Sequence, residues 1–176
     1  MLHHKLHLAI RDIPDFPKPG IVFKDITPIL KDPTLCKEIV EEFVTRLGQT
    51  TIDVVAGIES RGFLFGLMLA SRLGVPFVPI RKQGKLPYQT IAEGYKLEYG
   101  QATIEVHADA FDQGANVLIH DDLLATGGTV VAASNLVKRA GAQVVGFSFL
   151  ISLDFLNAKG RLMRFSENII SLVNEE

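Results

Sequence analysis

The stretch Val117-Leu-Ile-His-Asp-Asp-Leu-Leu-Ala-Thr-Gly-Gly-Thr129 decides the fold of this chain of 176 residues. It begins with β-branched and apolar residues, which favour a strand buried on both faces of a parallel sheet. Two carboxylates, Asp121 and Asp122, come where this strand is expected to end. Ala125-Thr-Gly-Gly-Thr129 then predicts a tight turn into a helix over residues 130–140.

This order of elements suits a ligand with a phosphate at one end and a cis-diol at the other. A helix N-terminus leaves backbone N–H groups unpaired, and the helix dipole favours an anion there. Gly127 and Gly128 have no side chains to block a phosphate, and Thr126 and Thr129 add hydroxyl donors. The carboxylates upstream can accept hydrogen bonds from sugar hydroxyls. We therefore predict a ribose 5-phosphate site; the alternative is an ordinary turn beside a solvated acidic loop.

The same thirteen residues resemble the phosphoribosyl pyrophosphate (PRPP) signature of the type I phosphoribosyltransferases. The form Asp-Asp-Leu-Leu-Ala-Thr-Gly-Gly-Thr is similar to that of the adenine phosphoribosyltransferases. The resemblance implies an α/β fold of the type I phosphoribosyltransferases, with a central, mostly parallel sheet flanked by helices and a small N-terminal hood segment. It also implies a single domain over residues 1–176, with the hood at approximately 1–30 and a flexible loop at 82–100.

Composition and charge restrict the class of protein. Hydrophobic residues make up 47% of the chain and charged residues 22%, which is typical of a soluble globular domain. The net charge of −2 argues against a basic surface that would bind nucleic acid or an anionic membrane. Cys36 is the only cysteine, which excludes an intramolecular disulfide and a multi-cysteine metal site. We expect a cytoplasmic protein with neither nucleic-acid nor membrane partners.

Hydrophobic periodicity predicts strands and helices along the rest of the chain. Asp32-Pro33 begins a helix whose apolar stripe runs to Leu47. Strands are expected at 52–56, 75–80, 103–107, 143–151 and 169–173, and a helix is expected at 63–73. The prolines of 75–80 indicate an edge or irregular pairing, and 103–107 alternates as a half-exposed strand should.

The N-terminal segment His3-His4-Lys5-Leu6-His7 admits two interpretations. One is metal binding by the histidines. The other, which we favour, is an amphipathic helix that buries Leu6, Leu8 and Ile10.

A second turn of the same kind is predicted at Glu59-Ser-Arg-Gly62, between a strand end and a helix start. In open α/β sheets, ligands bind outside the carboxyl ends of the strands, so this turn should face the crevice of Asp121. A surface arginine at a helix start is the alternative. In the resemblance, Glu59, Ser60 and Arg61 match the pyrophosphate loop of the family, and Arg61 would also assist catalysis.

Three cations follow within five residues, in Arg81-Lys-Gln-Gly-Lys85. Such a run is often a solvated face. The resemblance instead implies that Arg81, Lys82 and Lys85 bind pyrophosphate. Family members are typically homodimers, in which this segment can reach the pyrophosphate of a neighbouring subunit.

Tyr95-Lys-Leu-Glu-Tyr-Gly100 resembles the mobile catalytic loop of the family. Closing such a loop would exclude water from the reaction. Glu98 is the candidate to take the proton from the base, with solvent as the alternative, and Tyr95 could lie over the reacting centre. A hairpin with an exposed glutamate and a core tyrosine is the other interpretation of this segment.

The segment Pro19–Pro28 resembles the adenine-binding hood. It implies adenine binding by Val22, Phe23 and Lys24, with the Phe23 ring stacked on the purine and backbone groups reading its edge. Phe23 as a plain core residue is the alternative. The family often has arginine where Lys24 stands; lysine keeps the charge but loses the planar fork.

The reaction implied by the resemblance is a purine-salvage step, adenine + PRPP → AMP + pyrophosphate. Mg²⁺ would be the cofactor, held by PRPP, by water and, in one arrangement, by Asp121 and Asp122. Two alternatives stay open at this point. One is a phosphoribosyltransferase for another base, such as hypoxanthine, xanthine or orotate. The other is a regulator that senses PRPP or nucleotides without turnover.

Overall fold

The computed structural model describes residues 2–96 and 100–176. In these residues the helices are α1 Leu2–Ala9, α2 Thr27–Leu30, α3 Pro33–Leu47, α4 Gly62–Leu73, α5 Gly128–Arg139 and α6 Lys159–Leu162. The strands are β1 Arg11–Ile13, β2 Phe23–Asp25, β3 Val54–Ile58, β4 Phe77–Lys82, β5 Thr90–Lys96, β6 Gln101–His107, β7 Asn116–Leu124, β8 Gln143–Leu153 and β9 Ile169–Glu175. A 3₁₀ turn at Asp154–Leu156 links β8 to α6.

The main sheet has the strand order β5-β6-β4-β3-β7-β8-β9. The run from β4 to β9 is parallel, whereas β6 is antiparallel to both β4 and β5. Strands β1 and β2 form a separate antiparallel ribbon near the N-terminus. The predicted α/β fold, with a mostly parallel central sheet flanked by helices, is confirmed.

Helices cover both faces of the sheet because its central strands are apolar on both sides. Val55 and Leu118 pack toward α3 and α4, whereas their neighbours Ala56 and Ile119 pack toward α5. All four side chains are fully buried. Burial of a side chain such as Leu118 contributes about 1.5–3 kcal/mol, so these layers hold the strand ends in fixed positions.

The predicted helix signals act as expected. The Asp32 carboxylate accepts hydrogen bonds from the backbone N–H groups of Thr34 and Leu35, both at 3.0 Å, and caps α3. Gly74 ends α4 in the left-handed conformation, with φ of 71°. Among the described residues, no helix combines the length and the apolar character needed to cross a membrane.

Strand β7 is longer than predicted. It runs to Leu124, so Asp121 and Asp122 lie inside the strand rather than after it. The physical reason is that β8 continues to pair with β7, with Asp121 opposite Phe149, after the pairing with β3 has ended at His120. The carboxylates therefore project from a strand that is supported on one side only.

The expectation of a loop over residues 82–100 is wrong for part of that range. Residues 90–96 form β5, which pairs with β6 in a hairpin. Helix α5 supports this strand, because Asn135 and Arg139 donate hydrogen bonds to the Glu93 carboxylate, each at 2.9 Å. Small residues at 92 and 94 leave β5 without a clear apolar alternation, which explains why the sequence does not reveal it.

Two burial expectations are also wrong. Leu8 is 75% exposed, because α1 buries only Leu6 fully. Strand β6 does not alternate as a half-exposed strand, since Ile104, Glu105 and Val106 are all buried. The edge position offered for the prolines is wrong, because β4 lies between β6 and β3. Pro79 pairs in regular register with Gly57 of β3, and the pairing with β6 begins only at Arg81 and covers two residues.

Candidate active site

A close contact between α4 and β7 creates the centre of the site. A Cβ atom on Gly62 would lie 2.9 Å from the His120 carbonyl oxygen and 3.0 Å from Asp121 Oδ1. Glycine at the first position of α4 is therefore required for the turn after β3 to approach the carboxylates. The two sequence motifs, predicted to share a crevice, do lie side by side.

Arg61 and Asp122 form the charged pair of this centre. Arg61 Nε lies 2.9 Å from Asp122 Oδ2, and the Asp122 side chain is almost fully buried. The N–H direction does not align as a hydrogen bond, and among the described residues Oδ2 has no hydrogen-bond partner. Arg61 offsets the charge of this oxygen without an aligned hydrogen bond, so Asp122 retains the capacity to accept one from a ligand.

The two carboxyl groups have raised pKa values. Burial raises the pKa of Asp121 well above its usual range, and the neighbouring Asp122 charge raises it further. Burial also raises the pKa of Asp122, although the Arg61 guanidinium opposes that shift. Ionised carboxylates are therefore energetically unfavourable in the free site. Hydrogen bonds from the hydroxyl groups of a bound ligand can reduce that penalty.

Arg61 also connects this centre to the N-terminal hood. Its Nη1 donates a hydrogen bond of 2.9 Å to the Lys24 carbonyl oxygen, and its guanidinium carbon lies 4.6 Å from the centroid of the Phe23 ring. This stacking is a cation–π contact. Phe16 packs edge-on against Phe23, with 5.2 Å between ring centroids. The predicted base-binding and pyrophosphate-binding residues thus meet at Arg61, while Val22 is half exposed beside them.

The Lys24 side chain fixes the hood to the rest of the molecule. Its ammonium lies 2.9 Å from Asp12 and 3.2 Å from Glu175, and the side chain is 12% exposed. Burial alone would lower the pKa of Lys24, but the hydrogen bonds with Asp12 and Glu175 raise it above its usual value. A compact ammonium serves two separate carboxylates without the planar fork of an arginine.

Glu59 has a different position from the one expected for a pyrophosphate ligand. Its carboxylate accepts hydrogen bonds from the Arg81 guanidinium at 3.2 and 3.3 Å and from the Lys82 backbone N–H at 2.9 Å. Burial would raise the pKa of Glu59, but these donors hold it below its usual range. Glu59 thus positions the cations, and its contact with pyrophosphate stays a prediction. Ser60 is exposed, and the Glu59–Ser60 peptide is cis.

A buried carboxylate that the sequence did not single out holds the cationic segment. Glu105 Oε1 accepts hydrogen bonds from the backbone N–H groups of Gly84, Lys85 and Leu86 at 3.0 to 3.2 Å. Its other oxygen accepts from the Thr90 hydroxyl at 3.3 Å. The side chains of Lys82 and Lys85 remain exposed, free to face an anion. The sequence of β6 alternates apolar and polar residues, which predicted an exposed Glu105 and did not indicate that it binds the backbone of residues 84–86.

The predicted phosphate loop has the expected geometry at the start of α5. Gly127 is left-handed, with φ of 79°, and a Cβ atom there would lie 3.1 Å from the Ala158 Cβ. The α5 helix begins at the next residue and directs its first N–H groups toward the loop. The loop residues are Ala125, Thr126, Gly127, Gly128 and Thr129. Arg161, which the sequence analysis missed, donates a 3.3 Å hydrogen bond to the Thr126 carbonyl.

The structure describes two of the three residues predicted to act in catalysis, Arg61 and Tyr95. Tyr95 packs partly buried against the core on the α5 side, and its Cδ2 lies 3.6 Å from where a Cβ of Gly128 would be. This position favours a packing role, and the catalytic role stays a prediction. Glu98 lies outside the described residues.

The donors suit a metal ion that arrives with a phosphorylated substrate. Among residues 2–96 and 100–176, no three histidine, cysteine or carboxylate side chains group to hold a metal ion. Mg²⁺, however, typically uses one or two carboxylates together with substrate phosphates and water. The carboxylate oxygens of Asp121 and Asp122 are the hard donors that such an ion prefers, although Arg61 already pairs with Asp122 Oδ2.

Comparison with known proteins agrees with this geometry. The family model described as phosphoribosyl transferase domain matches residues 26–165. A relative from Cytophaga hutchinsonii named adenine phosphoribosyltransferase is 53% identical over 174 residues, which is 99% of this chain and 96% of that protein.

Solved structures resemble the whole chain. The crystal structure of an adenine phosphoribosyltransferase from Thermoanaerobacter pseudethanolicus has a TM-score of 0.94 and 48% identity, and the match covers 98% of this chain and 99% of that one. The enzyme of the same name from Saccharomyces cerevisiae, complexed with adenine and an imino-altritol bisphosphate, has a TM-score of 0.91 and 39% identity, over 97% and 98% of the two chains.

Proposed function

The chain belongs to the phosphoribosyltransferase family, among its adenine phosphoribosyltransferases, and we propose that its site transfers the phosphoribosyl group of PRPP to adenine. The products are AMP and pyrophosphate, in a step of purine salvage. One observation carries the proposal: half-buried Asp121 and buried Asp122 of β7 stand directly before a glycine loop that opens α5. In this order, carboxylates that can bind ribose hydroxyls adjoin a loop that can bind the 5-phosphate of the same ribose.

The ribose 5-phosphate binds between these two elements. Asp121 and Asp122 accept hydrogen bonds from the ribose hydroxyls, which add an aligned hydrogen bond to the ion pair that Asp122 Oδ2 makes with Arg61. The 5-phosphate binds the backbone N–H groups and threonine hydroxyls of residues 125–129, where the α5 dipole favours an anion. Arg161, bonded to the loop at Thr126, adds positive charge nearby.

The pyrophosphate binds to the cations of the neighbouring turns. Arg61 is the central group, and Arg81, Lys82 and Lys85 offset further charge as the bond from ribose C1 to pyrophosphate breaks. Glu59 and Glu105 support these cations by holding Arg81 and the backbone of residues 84–86. Pre-positioned charges of this kind stabilise a transition state without having to reorganise during the reaction.

Adenine binds under the hood. The Phe23 ring stacks on the purine, and backbone groups of Val22 and Lys24 read its edge. Arg61 contacts both Phe23 and the Lys24 carbonyl. The same side chain therefore supports the base site and binds pyrophosphate. As the bond from adenine to ribose C1 forms, Glu98 takes the proton from the base nitrogen.

Catalysis relies on positioning and electrostatics. The positive charge that develops on the ribose lies beside Asp121 and Asp122, which stabilise it in a site of low polarity. Mg²⁺, when bound, neutralises phosphate charge on PRPP; the residues placed to hold it are Asp121 and Asp122, together with PRPP and water.

We propose that the protein is a homodimer and acts in the cytoplasm. Support for an oligomer comes from α4, whose Leu64, Leu67 and Met68 form an exposed apolar row. Sedimentation equilibrium should give twice the mass of one chain. The small-molecule substrates are PRPP and adenine, and neither nucleic acid nor membrane is expected as a partner.

The proposal is tested by the appearance of AMP when the protein is incubated with adenine, PRPP and Mg²⁺. We expect AMP and pyrophosphate in equal amounts, and near-complete loss of both in Asp122→Asn. Asp109→Asn is the matched control, because Asp109 is an exposed carboxylate outside the site, and it should keep full activity. If PRPP binds and no AMP forms, the protein is a sensor and the proposal is wrong.

A further inference from the structure

Helix α1 carries a pair of histidines that the proposed reaction does not use. His3 and His7 stand one turn apart and are both exposed. Their Nε2 atoms lie 3.2 Å from each other, and their rings meet edge to face with 4.3 Å between centroids. Residues four apart on a helix lie on the same face, so both imidazoles project from one exposed side of α1.

The separation of the two nitrogens is the one that a single metal ion requires. Zn–N bonds are about 2.0–2.1 Å, and two such bonds at a tetrahedral angle place their nitrogens roughly 3.3 Å apart. In the metal-free protein this 3.2 Å contact is a hydrogen bond between the two rings. A metal ion would replace its proton, which requires the rings to turn but the helix backbone to keep its position. We propose that His3 and His7 form a binding site for a divalent transition-metal ion, with Zn²⁺ as its simplest occupant.

The environment of His7 supports this assignment. Its second ring nitrogen, Nδ1, lies 4.0 Å from the Glu175 carboxylate, which is itself held 3.2 Å from the Lys24 ammonium. Histidines that bind a metal commonly donate their other N–H to a carboxylate, which fixes the ring and makes it more basic. A small movement of the Glu175 side chain brings it within hydrogen-bond distance.

The site has room for the remaining ligands. A cavity of about 360 Å³ opens beside His3 and is lined by Leu2, Leu6, Glu42, Arg46 and Leu172. The Arg46 charge is offset by Glu42, whose carboxylate lies 2.8 Å from it. Water molecules can therefore complete the coordination of an ion that has two protein ligands.

The chemistry of the donors sets the metal class. Neutral imidazole suits Zn²⁺, Cu²⁺ and Ni²⁺, whereas Mg²⁺ prefers oxygen donors and retains its water. The α1 site is therefore distinct from the Mg²⁺ requirement of the proposed transfer reaction. Its two histidines lie on α1, whereas the phosphate loop is formed by residues 125–129.

Isothermal titration of the metal-free full-length protein with Zn²⁺ tests the proposal. We expect one equivalent to bind, and binding to weaken by about tenfold or more in His3→Ala and in His7→Ala. His4→Ala is the matched control: His4 is exposed on the same helix, and among the described residues the imidazole contact joins His3 and His7 rather than His4, so its loss should leave the affinity unchanged. Mg²⁺ should give no heat that depends on His3 or His7.

Two outcomes would overturn the proposal. One is the absence of one-to-one Zn²⁺ binding to the unaltered protein. The other is an equal loss of affinity in all three histidine variants, or in none, which would assign the binding to other groups. Circular dichroism of each variant without metal checks that α1 and the fold persist, and retained AMP formation provides a second check that is independent of zinc.

Discussion

Arg61 Nε lies 2.9 Å from Asp122 Oδ2, so an ion pair joins the turn after β3 to the carboxylate strand β7. The same arginine stacks on Phe23 and donates to the Lys24 carbonyl oxygen. One side chain therefore contacts the regions proposed to bind pyrophosphate, ribose and base. Its position makes it the residue through which the three parts of the site are aligned.

Replacing Arg61 should therefore affect turnover strongly. We expect Arg61→Gln to lower kcat/KM by about 10²–10³-fold, the usual loss for one pre-positioned donor in an active site. Steady-state rates of AMP formation measure the effect. Arg72→Gln is the control, because Arg72 is an exposed arginine in the last turn of α4, the helix that Arg61 precedes, and pairs with Glu41. A loss of the same size in both variants would indicate a structural effect of α4 instead.

We expect the ionised Asp121 side chain to lower the free energy of unfolding at neutral pH, although the proposed reaction needs it. Its pKa is raised by burial and by Asp122, so ionised Asp121 destabilises the fold at pH values above the ordinary aspartate pKa. Asp121→Asn removes that charge and keeps an oxygen for the Asp122 N–H. We expect a gain of roughly 1 kcal/mol, or about 2–4 °C in melting temperature, at neutral pH.

The same variant should have a much lower kcat, measured with saturating PRPP and adenine. The gain in melting temperature should shrink as the pH falls, because protonated Asp121 no longer carries the unfavourable charge. A variant that is less stable than the unaltered protein at neutral pH would contradict this explanation.

Lys24 should act on adenine binding through its side chain. The ammonium links β2 to Asp12 within the hood and to Glu175 outside it, so Lys24→Met removes both the internal ion pair and the tie from the hood to β9. We expect the KM for adenine to rise by about tenfold, equivalent to ~1.4 kcal/mol, while the KM for PRPP changes little. Lys24→Arg keeps the charge and should restore the adenine KM. A parallel rise of both KM values, with no rescue by arginine, would argue against a role specific to the base.

His120 should make the fold sensitive to acid. It is fully buried, its Nδ1 lies 2.9 Å from the Ser148 hydroxyl, and burial lowers its pKa to about 3. The unfolded chain binds a proton at this histidine near pH 6.5, whereas the folded chain does not. Stability is therefore lost as the pH falls from about 6.5 toward 3, with a slope of up to about 1.4 kcal/mol per pH unit from this group.

Denaturant unfolding at pH 6.5, 5.5 and 4.5 measures that slope. His120→Asn provides the comparison, because asparagine can still bond to Ser148 but does not titrate. We expect the asparagine variant to lose less stability over this range. Identical slopes in the two proteins would show that His120 does not contribute.

The parts of the site that the sequence predicted are those encoded in continuous segments. Asp121, Asp122 and the loop at 125–129 adjoin in the chain, and a strand followed by a helix can hold them in only one order. The pairing of β3 with β7 then brings Arg61 to Asp122, because neighbouring parallel strands present their carboxyl ends at one edge. Local pattern and the rules of parallel sheets suffice for this much.

The supporting residues could not be predicted, because their contacts join distant segments. Glu105 holds the backbone of residues 84–86 across a hairpin, and Glu175 reaches Lys24 from the far end of the chain. Each is an ordinary glutamate in its own sequence context. The strand β5 was missed for a related reason: β6 and α5 stabilise it, whereas its own residues carry little apolar alternation.

The central claim is that this site joins adenine to PRPP. Initial rates with PRPP and Mg²⁺, measured in parallel for adenine, hypoxanthine, guanine, xanthine and orotate, test it most directly. We predict turnover with adenine and none above background with the other four bases, because the hood offers neutral backbone groups to a purine that lacks a 6-oxo group. Turnover with an oxo-purine in preference to adenine would contradict the assigned base specificity, and the absence of turnover with any base would contradict the proposed reaction itself.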